Sequence, residues 1–358
     1  MINRKYIRRA IFKRLKKSDL IYTLTFLYNC RRDLICNYKE MKKWEIKSKD
    51  VVKQELDMCK KYWHCHVWYY YIHYELYNKL LTKEALLDYV PPFYFANQHQ
   101  EKFQKGIDVV KLSNKLEQFY LFRERGIETP NVLYVIKNNK IYNLDGEVID
   151  LKTLDDYTFH QKLFVKPCGN CGGFGISVVH SLKELNEYLK SYSSKDIYVV
   201  QKKIEQRTDL DAINSSCVNT LRVIVHETLD HKMEMKICIL RMGRNNSDVD
   251  NSAQGGISIV VDVANGRFTD YATAEHGGGK FYTHPDSKFK FSGQGINDWQ
   301  EVKCQIEETA TKLVDLHDIA LDVALTPTGI SIIEYNFGYG IDHIQKTIGG
   351  VRGILDVK

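Results

Sequence analysis

The feature that most constrains the fold is a pair of apolar segments near the C-terminus. Leu321–Leu325 and Ile330–Asn336 are separated by a Thr-Pro-Thr-Gly turn, which predicts two antiparallel strands joined by a tight hairpin. In such a hairpin Asp322 lies almost opposite Glu334. The chain is therefore expected to bring two carboxylates together on one face of a sheet.

A third polar side chain joins this pair. Glu334 and Asn336 are two residues apart, so they project from the same face of their strand, whereas Ile333 and Tyr335 point the other way. Two carboxylates and a carboxamide supply only oxygen ligands, which suit Mg²⁺ bound together with substrate phosphates. The alternative is an ordinary hairpin whose polar side chains face water.

The rest of the chain predicts a mixed α+β protein behind a helical front. Val90-Pro91-Pro92 ends the helical region, because proline has no amide donor and restricts the residue before it. We divide the chain into a helical region at 1–100 and two α+β lobes at 101–204 and 205–358. Beyond the prolines, helices are predicted at 114–125, 182–192 and 299–317, and strands at 132–136, 164–166, 197–201, 220–226, 234–241, 257–263, 321–325 and 330–335.

Basic residues are concentrated at the N-terminus. The formal net charge of the 358 residues is +6, and residues 1–50 alone carry +10, so the other 308 residues carry −4. This imbalance argues against a uniformly basic nucleic-acid-binding protein. The basic segment within residues 1–20 has helical periodicity. It can lie on an anionic membrane surface, or it can be a solvated face docked on its own protein.

Two further segments of the helical region carry specific expectations. A second helix is predicted at Leu20–Leu34, with Ser18 or Asp19 as its cap. Residues 62–77 hold eight aromatic residues and three histidines, which favours a tightly packed aromatic helix. His64 and His66 flank a cysteine there, but the paired spacing of a zinc site is absent.

Length and composition limit the class of protein. At about 100–200 residues per domain, 358 residues are enough for two or three lobes with real cores. No run approaches the roughly 18 apolar residues of a membrane-spanning helix, and the N-terminus lacks the apolar core of a secretory signal. Nine cysteines at scattered spacings are typical of reduced thiols. We therefore expect a cytoplasmic protein, with the inner membrane face as a second location.

A glycine-rich loop follows the predicted strand that carries Lys166. Four glycines fall within seven residues, at Gly169, Gly172, Gly173 and Gly175. Such a loop lets backbone amides approach phosphate oxygens without a Cβ in the way, and a strand lysine can reach the same anion. It is not a Walker A loop, because no Gly-Lys-Ser/Thr follows the glycines.

A third candidate segment is the strand Ile197–Gln201, which runs on through Lys202, Lys203 and Ile204 to Glu205. A strand end of this type offers backbone groups to an adenine edge, an apolar wall to its face and a carboxylate to a ribose. Without other signals it is simply a strand that leaves the core.

Taken in this order, the three segments resemble the ATP-grasp superfamily. Upstream, Asn114-Lys115 opens a helix that ends at Gly126-Ile127-Glu128-Thr129-Pro130, which is similar to the family's first nucleotide-binding lysine and its G-(I/L)-x-x-P turn. The likeness covers about residues 85–350. It is strongest to the sugar-transfer-associated branch, whose signature resembles Asn219-Thr220-Leu221-Arg222, Arg241-Met242-Gly243-Arg244, Asp250-Asn251, Gly255-Gly256 and His284-Pro285-Asp286.

The resemblance implies an ATP-grasp fold, with two α+β lobes that clasp ATP, and a role for each matching residue. The lysines Lys115 and Lys166 would contact the phosphates of ATP, and the glycine loop would fold over them. Gln201 and the backbone from Lys202 through Lys203 to Ile204 would hold the adenine. Either Glu205 or Asp209 would hold the ribose. One or two Mg²⁺ ions would be bound by Asp322, Glu334 and Asn336.

One departure from the family pattern affects catalysis. In D-alanine:D-alanine ligase-like members an arginine stands two residues before the first metal aspartate, and here that residue is Ala320. Arg222 and Arg241 are our candidates to supply the missing positive charge. Groups expected to bind the acceptor substrate are Asn219, Asn251, Gly255 and Gly256.

The resemblance implies an ATP-dependent carboxylate–amine ligase that acts on a saccharide or sugar-linked precursor of a surface polysaccharide. A kinase that passes phosphate to a sugar hydroxyl is one alternative, since the same scaffold can serve both reactions. A non-catalytic scaffold for glycan assembly is the other. The expected partners are small-molecule or glycan-precursor substrates and not nucleic acid, and the sequence does not determine an oligomeric state.

Overall fold

The computed structural model describes residues 17–43, 46–78, 81–150, 162–169, 175–191, 196–248, 250, 255–274 and 279–357. The basic helix predicted at the N-terminus lies outside these residues, apart from its last positions. The chain divides into two structural units. The helical unit comprises the described residues of Met1–Lys105, Thr273–Lys280 and Gly338–Lys358, and the sheet unit comprises those of Gly106–Ala272 and Phe281–Phe337.

Helices dominate the described residues before position 100 and recur between the strands. The described α-helices are α1 (Asp19–Asn29), α2 (Arg31–Met41), α3 (Lys49–Trp63), α4 (Tyr70–His73), α5 (Lys83–Leu87), α6 (Pro92–Tyr94), α7 (Gln100–Phe103), α8 (Val109–Leu112), α9 (Lys115–Glu124), α10 (Leu182–Ser191), α11 (Thr208–Ile213), α12 (Trp299–Thr311) and α13 (Asp342–Ile348). Among the described residues, none of these helices combines the length and the apolar character needed to cross a membrane.

The helix predicted at Leu20–Leu34 is two helices, α1 and α2, that meet at Cys30. The Arg31 guanidinium donates to the carbonyl of Tyr28 at 2.6 Å, which satisfies one of the last carbonyls of α1. Ser18 does precede α1, but its side chain makes no capping hydrogen bond.

The aromatic segment 62–77 is packed tightly, as expected, but it is not one helix. α3 ends at Trp63, because His64 adopts a left-handed conformation with φ of 52°. The rings that follow pack edge to face, with the Tyr70 and Tyr74 centroids 5.1 Å apart. His66 pairs with Asp19 at 2.5 Å, which occupies a ring nitrogen that a zinc site would need.

The C-terminal helix belongs to the helical unit. The side-chain amide of Gln345 on α13 donates to the Tyr74 hydroxyl at 2.9 Å and to the Val90 carbonyl at 2.9 Å, and its oxygen accepts from the Val90 amide at 2.6 Å. Gln345 is 1% exposed, so these bonds hold α13 in place within a dry interior.

The strands form two antiparallel sheets, and every predicted strand is present with altered ends. They are β1 (Val132–Lys137), β2 (Lys140–Tyr142), β3 (Val148–Ile149), β4 (Leu163–Pro167), β5 (Ser177–Val179), β6 (Tyr198–Lys202), β7 (Thr220–Glu227), β8 (Met233–Met242), β9 (Ile257–Val261), β10 (Ala272–Ala274), β11 (Lys280–Phe281), β12 (Asp318–Thr326) and β13 (Gly329–Asn336).

Strand order determines which side chains meet. The first sheet has the order β3-β2-β1-β6-β4-β5, and the second has the order β11-β10-β9-β8-β7-β12-β13. Leu185 and Leu189 of α10 pack with Ile136, Val165 and Val200 in the core of the first sheet. In the second sheet β7 lies between β8 and β12, although β12 follows β7 by about ninety residues.

Candidate functional site

A cleft that is partly open to solvent lies within the sheet unit. Its apolar walls include Phe119, Phe122, Phe164, Ile176, Ile204 and Val218. Its polar lining comprises Lys115, Thr129, Lys166, Gln201, Lys202, Thr220, Arg241, Asp248, Asp250, Asp322 and Glu334.

The C-terminal hairpin places its polar residues as the sequence predicts. β12 pairs with β13 so that Asp322 is directly opposite Glu334, and Ala320 is opposite Asn336. Asp322 and Glu334 both line the cleft. Asn336 lies two residues further along the same strand, beyond the residues that line the cleft.

A β-bulge next to Asp322 and Glu334 interrupts the alternation of side chains between the two faces of β13. Asp322 pairs with Glu334, but Val323 pairs with Ile332, so Ile333 is an extra residue on β13. Its side chain lines the cleft together with Glu334. The expectation that Ile333 points away is therefore wrong, whereas Tyr335 is buried against Phe337 with ring centroids 5.4 Å apart.

Two arginines enclose the Asp322 carboxylate. Arg222 Nε lies 2.6 Å from Oδ1, and Arg222 Nη2 donates to Oδ2 at 3.2 Å. Arg241 Nη2 lies 3.1 Å from Oδ2. Burial raises the pKa of Asp322, and the two guanidiniums oppose that rise. The structure thus brings both candidate catalytic arginines to Asp322, the first candidate metal ligand.

The register of the second sheet explains why Arg222 and Arg241 lie beside Asp322. Asp322 on β12 is directly opposite Arg222 on the neighbouring strand β7. One strand further, Arg241 on β8 is opposite Thr220. Burial lowers the pKa of Arg222, whereas for Arg241 the attraction of Asp322 and Asp250 exceeds the cost of burial and raises the pKa.

Thr220 and Asp250 hold Arg241 in position. The Thr220 hydroxyl accepts from Arg241 Nε at 3.1 Å and from Nη2 at 2.8 Å, and it donates to the Asp250 carboxylate. Asp250 also accepts from the Thr220 amide at 3.2 Å. A hydroxyl that accepts from a cation and donates to an anion has its hydrogen-bond direction determined by both partners.

Lys115 provides the cation for the second carboxylate. Its Nζ lies 2.7 Å from Glu334 Oε2, with both side chains about four-fifths buried. Burial would raise the pKa of Glu334, but Lys115, with help from Arg222 and Lys166, lowers it to about 2. Glu334 is therefore an anion throughout the physiological pH range.

The helix that carries Lys115 is locked to the hairpin. The Asn114 side chain caps α9 by accepting from the Leu116 amide at 2.9 Å. Further along α9, the Gln118 side chain donates to the Tyr335 carbonyl at 3.0 Å and accepts from the Tyr335 amide at 3.1 Å. These bonds hold Lys115 beside Glu334.

Lys166 on β4 adds another cation to the cleft. Its removal from water, opposed by Glu334 and reinforced by Lys115, lowers the pKa of Lys166 from 10.5 to about 8. An ammonium with a depressed pKa is a group that gains from the arrival of an anion. Lys115, Lys166 and Arg241 thus line the cleft together with Asp250, Asp322 and Glu334, and Arg222 on β7 pairs with Asp322.

Sequence comparison assigns this arrangement to a family. The model of a family described as sugar-transfer associated ATP-grasp matches residues 94–351. The chain belongs to this family. No curated protein matches the chain.

Several solved structures are similar to this ATP-grasp chain. They include D-alanyl-alanine synthetase A from Vibrio cholerae, with 12% identity, TM-score 0.43, 68% of this chain and 60% of that chain covered. D-alanine–D-alanine ligase from Bacillus anthracis has 13% identity and a TM-score of 0.41, and the match covers 75% of this chain and 79% of that chain. Biotin carboxylase from Campylobacter jejuni has 12% identity and a TM-score of 0.42, and the match covers 74% of this chain and 52% of that chain. This chain thus spans less than two thirds of the first and third structures.

The residues of the ATP-grasp hairpin meet the chemical requirements of Mg²⁺. Asp322 and Glu334 offer carboxylate oxygens 12 positions apart in sequence but directly opposite in the sheet. The Asn336 amide nitrogen is buried and has no hydrogen-bond partner among the described residues. The unpaired nitrogen is a donor that an acceptor such as water or a phosphate oxygen would satisfy, whereas a cation would bind at the Asn336 side-chain oxygen.

The residues expected to hold adenine divide into two groups. Gln201, Lys202 and Ile204 line the cleft. Gln201 is buried, and its amide nitrogen donates to the Pro130 carbonyl at 3.1 Å. Lys203 is not among the lining residues, and its backbone amide donates to the Lys162 carbonyl at 3.1 Å.

Neither ribose candidate lines the cleft. Asp209 makes two hydrogen bonds of 2.7 Å with the Arg207 guanidinium, and Glu205 is exposed. The acidic residues of the lining are instead Asp248 and Asp250, together with the hairpin carboxylates. Asp248 pairs with Lys162 at 2.6 Å.

The glycine loop is described only at its ends. Gly172 and Gly173 lie outside the described residues. Gly169 has open space where a side chain would project, and Gly175 has a φ of 80° that favours glycine.

Asn219 does not fit its expected role in acceptor binding. It is fully buried, and its amide nitrogen donates to Gln206 Oε1 at 3.0 Å and to the carbonyls of Leu210 and Asn214 at 3.0 and 2.7 Å. All of its donor capacity is used inside the protein. Asn219 therefore supports the turn before β7 and does not face a substrate.

His284 of the family signature has a similar supporting position. It is fully buried, its Nε2 lies 2.8 Å from the Gly243 carbonyl, and its Nδ1 accepts from the amides of Asp286 and Ser287. This pattern identifies the Nε2–H tautomer, and burial lowers the pKa of His284. The His284 ring therefore connects Gly243, just after β8, with the turn that contains Asp286 and Ser287.

The other residues expected to bind the acceptor are Asn251, Gly255 and Gly256. Asn251 lies outside the described residues, and the two glycines differ in their surroundings. Gly255 has a φ of 100°, and its carbonyl accepts from Arg244. Gly256 packs against backbone: a Cβ there would lie 2.3 Å from the Asp250 carbonyl oxygen and 2.9 Å from that of Met242.

We expect Gly256→Ala to lower the free energy of unfolding by at least about 2 kcal/mol, because the new methyl group overlaps two backbone atoms that cannot rotate away. Urea denaturation followed by circular dichroism measures this change. The matched control is Gly338→Ala, since Gly338 has no neighbour within 4 Å of the added methyl group. Equal stability of the two variants would contradict the close packing of Gly256.

Sequence reasoning missed several cleft residues. Thr220 and Asp250 stand in the signature motifs, but only the fold shows that they hold Arg241. Phe119 and Phe122 lie four and seven residues after Lys115, so they share its face of α9 and line the cleft with it. This helical spacing could have identified them from the sequence. Nothing in the sequence indicated that Ile333 lines the cleft, because an alternating pattern does not reveal a β-bulge.

Proposed function

We propose that this protein is an ATP-dependent ligase. In this proposal it activates a carboxylate as an acylphosphate and joins it to an amine, on a saccharide or sugar-linked precursor of a surface polysaccharide. The observation that carries the proposal is the cleft in which Lys115, Lys166 and Arg241 lie with Asp250, Asp322 and Glu334, because this arrangement suits a metal-bound triphosphate. Family membership supports nucleotide binding at this cleft.

Each part of the nucleotide has a candidate place in the cleft. Phe119, Phe164 and Ile204 line the cleft and would pack against the adenine, and Gln201, which also lines it, would bind the adenine edge. Lys115 and Lys166 would contact the phosphates, and the loop from Gly169 to Gly175 would cover them. The oxygens of Asp322, Glu334 and Asn336 would hold one or two Mg²⁺ ions. Bound Mg²⁺ would neutralise phosphate charge and orient the transferring group.

The arginines would supply the charge that Ala320 cannot. Phosphoryl transfer to a carboxylate builds negative charge on the transferring oxygens, so fixed cations at that point lower the barrier. Arg222 and Arg241 both reach Asp322 from β7 and β8. When a triphosphate and Mg²⁺ occupy the cleft, these guanidiniums would be within reach of both the metal ligand and the acceptor.

The proposal is tested by reaction screening. The protein is incubated with ATP and Mg²⁺ against pooled uronic acids, sugar nucleotides and amino acids, and products are followed by phosphate release and mass spectrometry. A ligase releases phosphate only when both a carboxylate and an amine are present, and the product has lost water. Phosphate retained on a sugar hydroxyl would instead identify a kinase, and absence of Mg²⁺-dependent ATP binding would favour a scaffold.

Lys166 makes ATP binding depend on pH. Its pKa of about 8 means that it loses its charge, and its attraction to phosphate, as the pH rises through 8. We therefore expect ATP affinity to fall above that pH, and ATP binding just above pH 8 to take up a proton, because a bound anion raises the pKa of Lys166. Calorimetry in buffers of different ionisation enthalpy measures the proton uptake.

The control for this prediction is Lys166→Arg. Arginine stays charged throughout this pH range, so the variant should bind ATP without taking up a proton. The same proton uptake in Lys166→Arg would assign the titration to another group.

We also propose that residues 1–20 attach the protein peripherally to anionic membranes. Their net positive charge and helical periodicity support this role. Deletion of residues 1–20 should weaken binding to phosphatidylserine vesicles in a sedimentation assay and leave ATP binding intact. Unchanged vesicle binding would contradict the proposal.

A further inference from the structure

A second cavity lies in the helical unit and shares no residue with the cleft. It has a volume of about 1270 Å³, partly open to solvent. One face of α3 forms one wall, with residues spaced three or four apart from Lys49 to Lys60. The other wall comes from the segment between Val67 and Tyr77.

The cavity has an apolar interior. Val52 and Leu56 of α3 line it together with Val67 and Ile72. Trp68 also lines it and is 53% exposed, which is unusual for so large an apolar ring. Such a surface gains free energy when an aliphatic chain covers it.

Cations stand around the apolar interior. Lys49, Lys53 and Lys60 lie along the same face of α3 and form no salt bridge with any residue that the structure describes. Lys47 also lines the cavity, but it pairs with Glu55 at 3.0 Å. Asp57 is the only carboxylate among the residues that line the cavity. The net charge of the residues that line the cavity is therefore complementary to an anion.

We propose that this cavity binds one molecule of a long-chain lipid phosphate. The aliphatic chain would occupy the space between Leu56 and Ile72, and the phosphate would lie against Lys49 and Lys53. Apolar walls alone would accept any hydrophobic chain, and lysines alone would accept any anion. The combination of both in one cavity selects a molecule that carries a chain and an anionic head.

The test uses dodecyl phosphate below its critical micelle concentration, titrated into the full-length protein by calorimetry. We expect saturable binding of one molecule per chain, at least about tenfold tighter than for dodecyltrimethylammonium or for inorganic phosphate. Equal affinity for the cationic chain would reduce the cavity to a non-selective hydrophobic surface. Equal affinity for inorganic phosphate would leave no role for the apolar walls, so either result overturns the proposal.

Charge reversal locates the site. The double variant Lys49→Glu/Lys53→Glu should weaken dodecyl phosphate binding at least about tenfold, and both lysines are exposed, so the fold should persist. The matched control is Lys183→Glu/Lys190→Glu on α10, which makes the same change in net charge on an exposed helix of the sheet unit. Equal weakening by both variants, or by neither, would overturn the proposal. Thermal unfolding confirms that each variant is folded.

Discussion

Replacing Arg222 with alanine should reduce turnover of ATP by about 10²- to 10³-fold and leave ATP affinity within about threefold of the original. The guanidinium lies 2.6 Å from Asp322 and is held there by the pairing of β7 with β12. A cation in this position acts on charge that develops during transfer, so its loss raises the barrier more than it weakens the ground-state complex. Single-turnover measurements with the substrates found by screening, together with calorimetric titration of ATP, separate the two effects.

Two controls make the Arg222 result specific. Arg222→Lys keeps the charge but loses the two-pronged contact, so it should recover part of the turnover. Arg267→Ala removes an exposed arginine whose guanidinium donates to the Gly293 carbonyl at 2.8 Å, and should have no effect. A fall in ATP affinity as large as the fall in turnover would reassign Arg222 to nucleotide binding.

Replacing Glu334 with glutamine should abolish the dependence of ATP binding on Mg²⁺ and reduce turnover by at least about 10²-fold. The variant keeps the shape of the side chain but removes the charge that a hard cation requires. It also leaves Lys115 without its partner at 2.7 Å. ATP affinity is measured by calorimetry with and without Mg²⁺, and the expected result is equal affinity in the two conditions.

The pH of this comparison matters. The pKa of Glu334 is lowered to about 2, so its ion pair stabilises the folded protein above pH 4.5 and loses that effect as the pH falls toward 2. Measurements at neutral pH therefore compare a full anion with a neutral amide. Glu301→Gln, an exposed change on α12, is the matched control. Persistence of a strong Mg²⁺ effect in Glu334→Gln would remove Glu334 from the metal ligands.

Local features were predictable from the sequence. The hairpin of β12 and β13 was predicted because its turn and its alternating pattern lie within sixteen residues, and the register of Asp322 with Glu334 follows from them. α9 was predicted, with its start at Asn114-Lys115, because helix signals are equally local. The assignment of Lys115 and Lys166 to the same site came from resemblance to a family.

Other features depend on contacts between distant segments. Helix periodicity continues across Cys30, so the break between α1 and α2 was not visible. The substrate role expected for Asn219 failed because its partners, such as Gln206 and Leu210, surround it only in the folded chain. The C-terminal α13 belongs to the helical unit because Gln345 bonds to Val90, 255 residues earlier.

By itself, the sequence of this protein determined the longer strands of both sheets, the helix that begins at Lys115 and the polar residues that share the hairpin face. These properties follow from side-chain periodicity and turn chemistry, which act over a few residues. The tertiary structure decided which charges meet. Arg222 and Arg241 reach Asp322 only because β7 lies between β8 and β12, and the bulge turns Ile333 into the cleft. Strand order and register depend on packing of the whole sheet, and no local pattern encodes them.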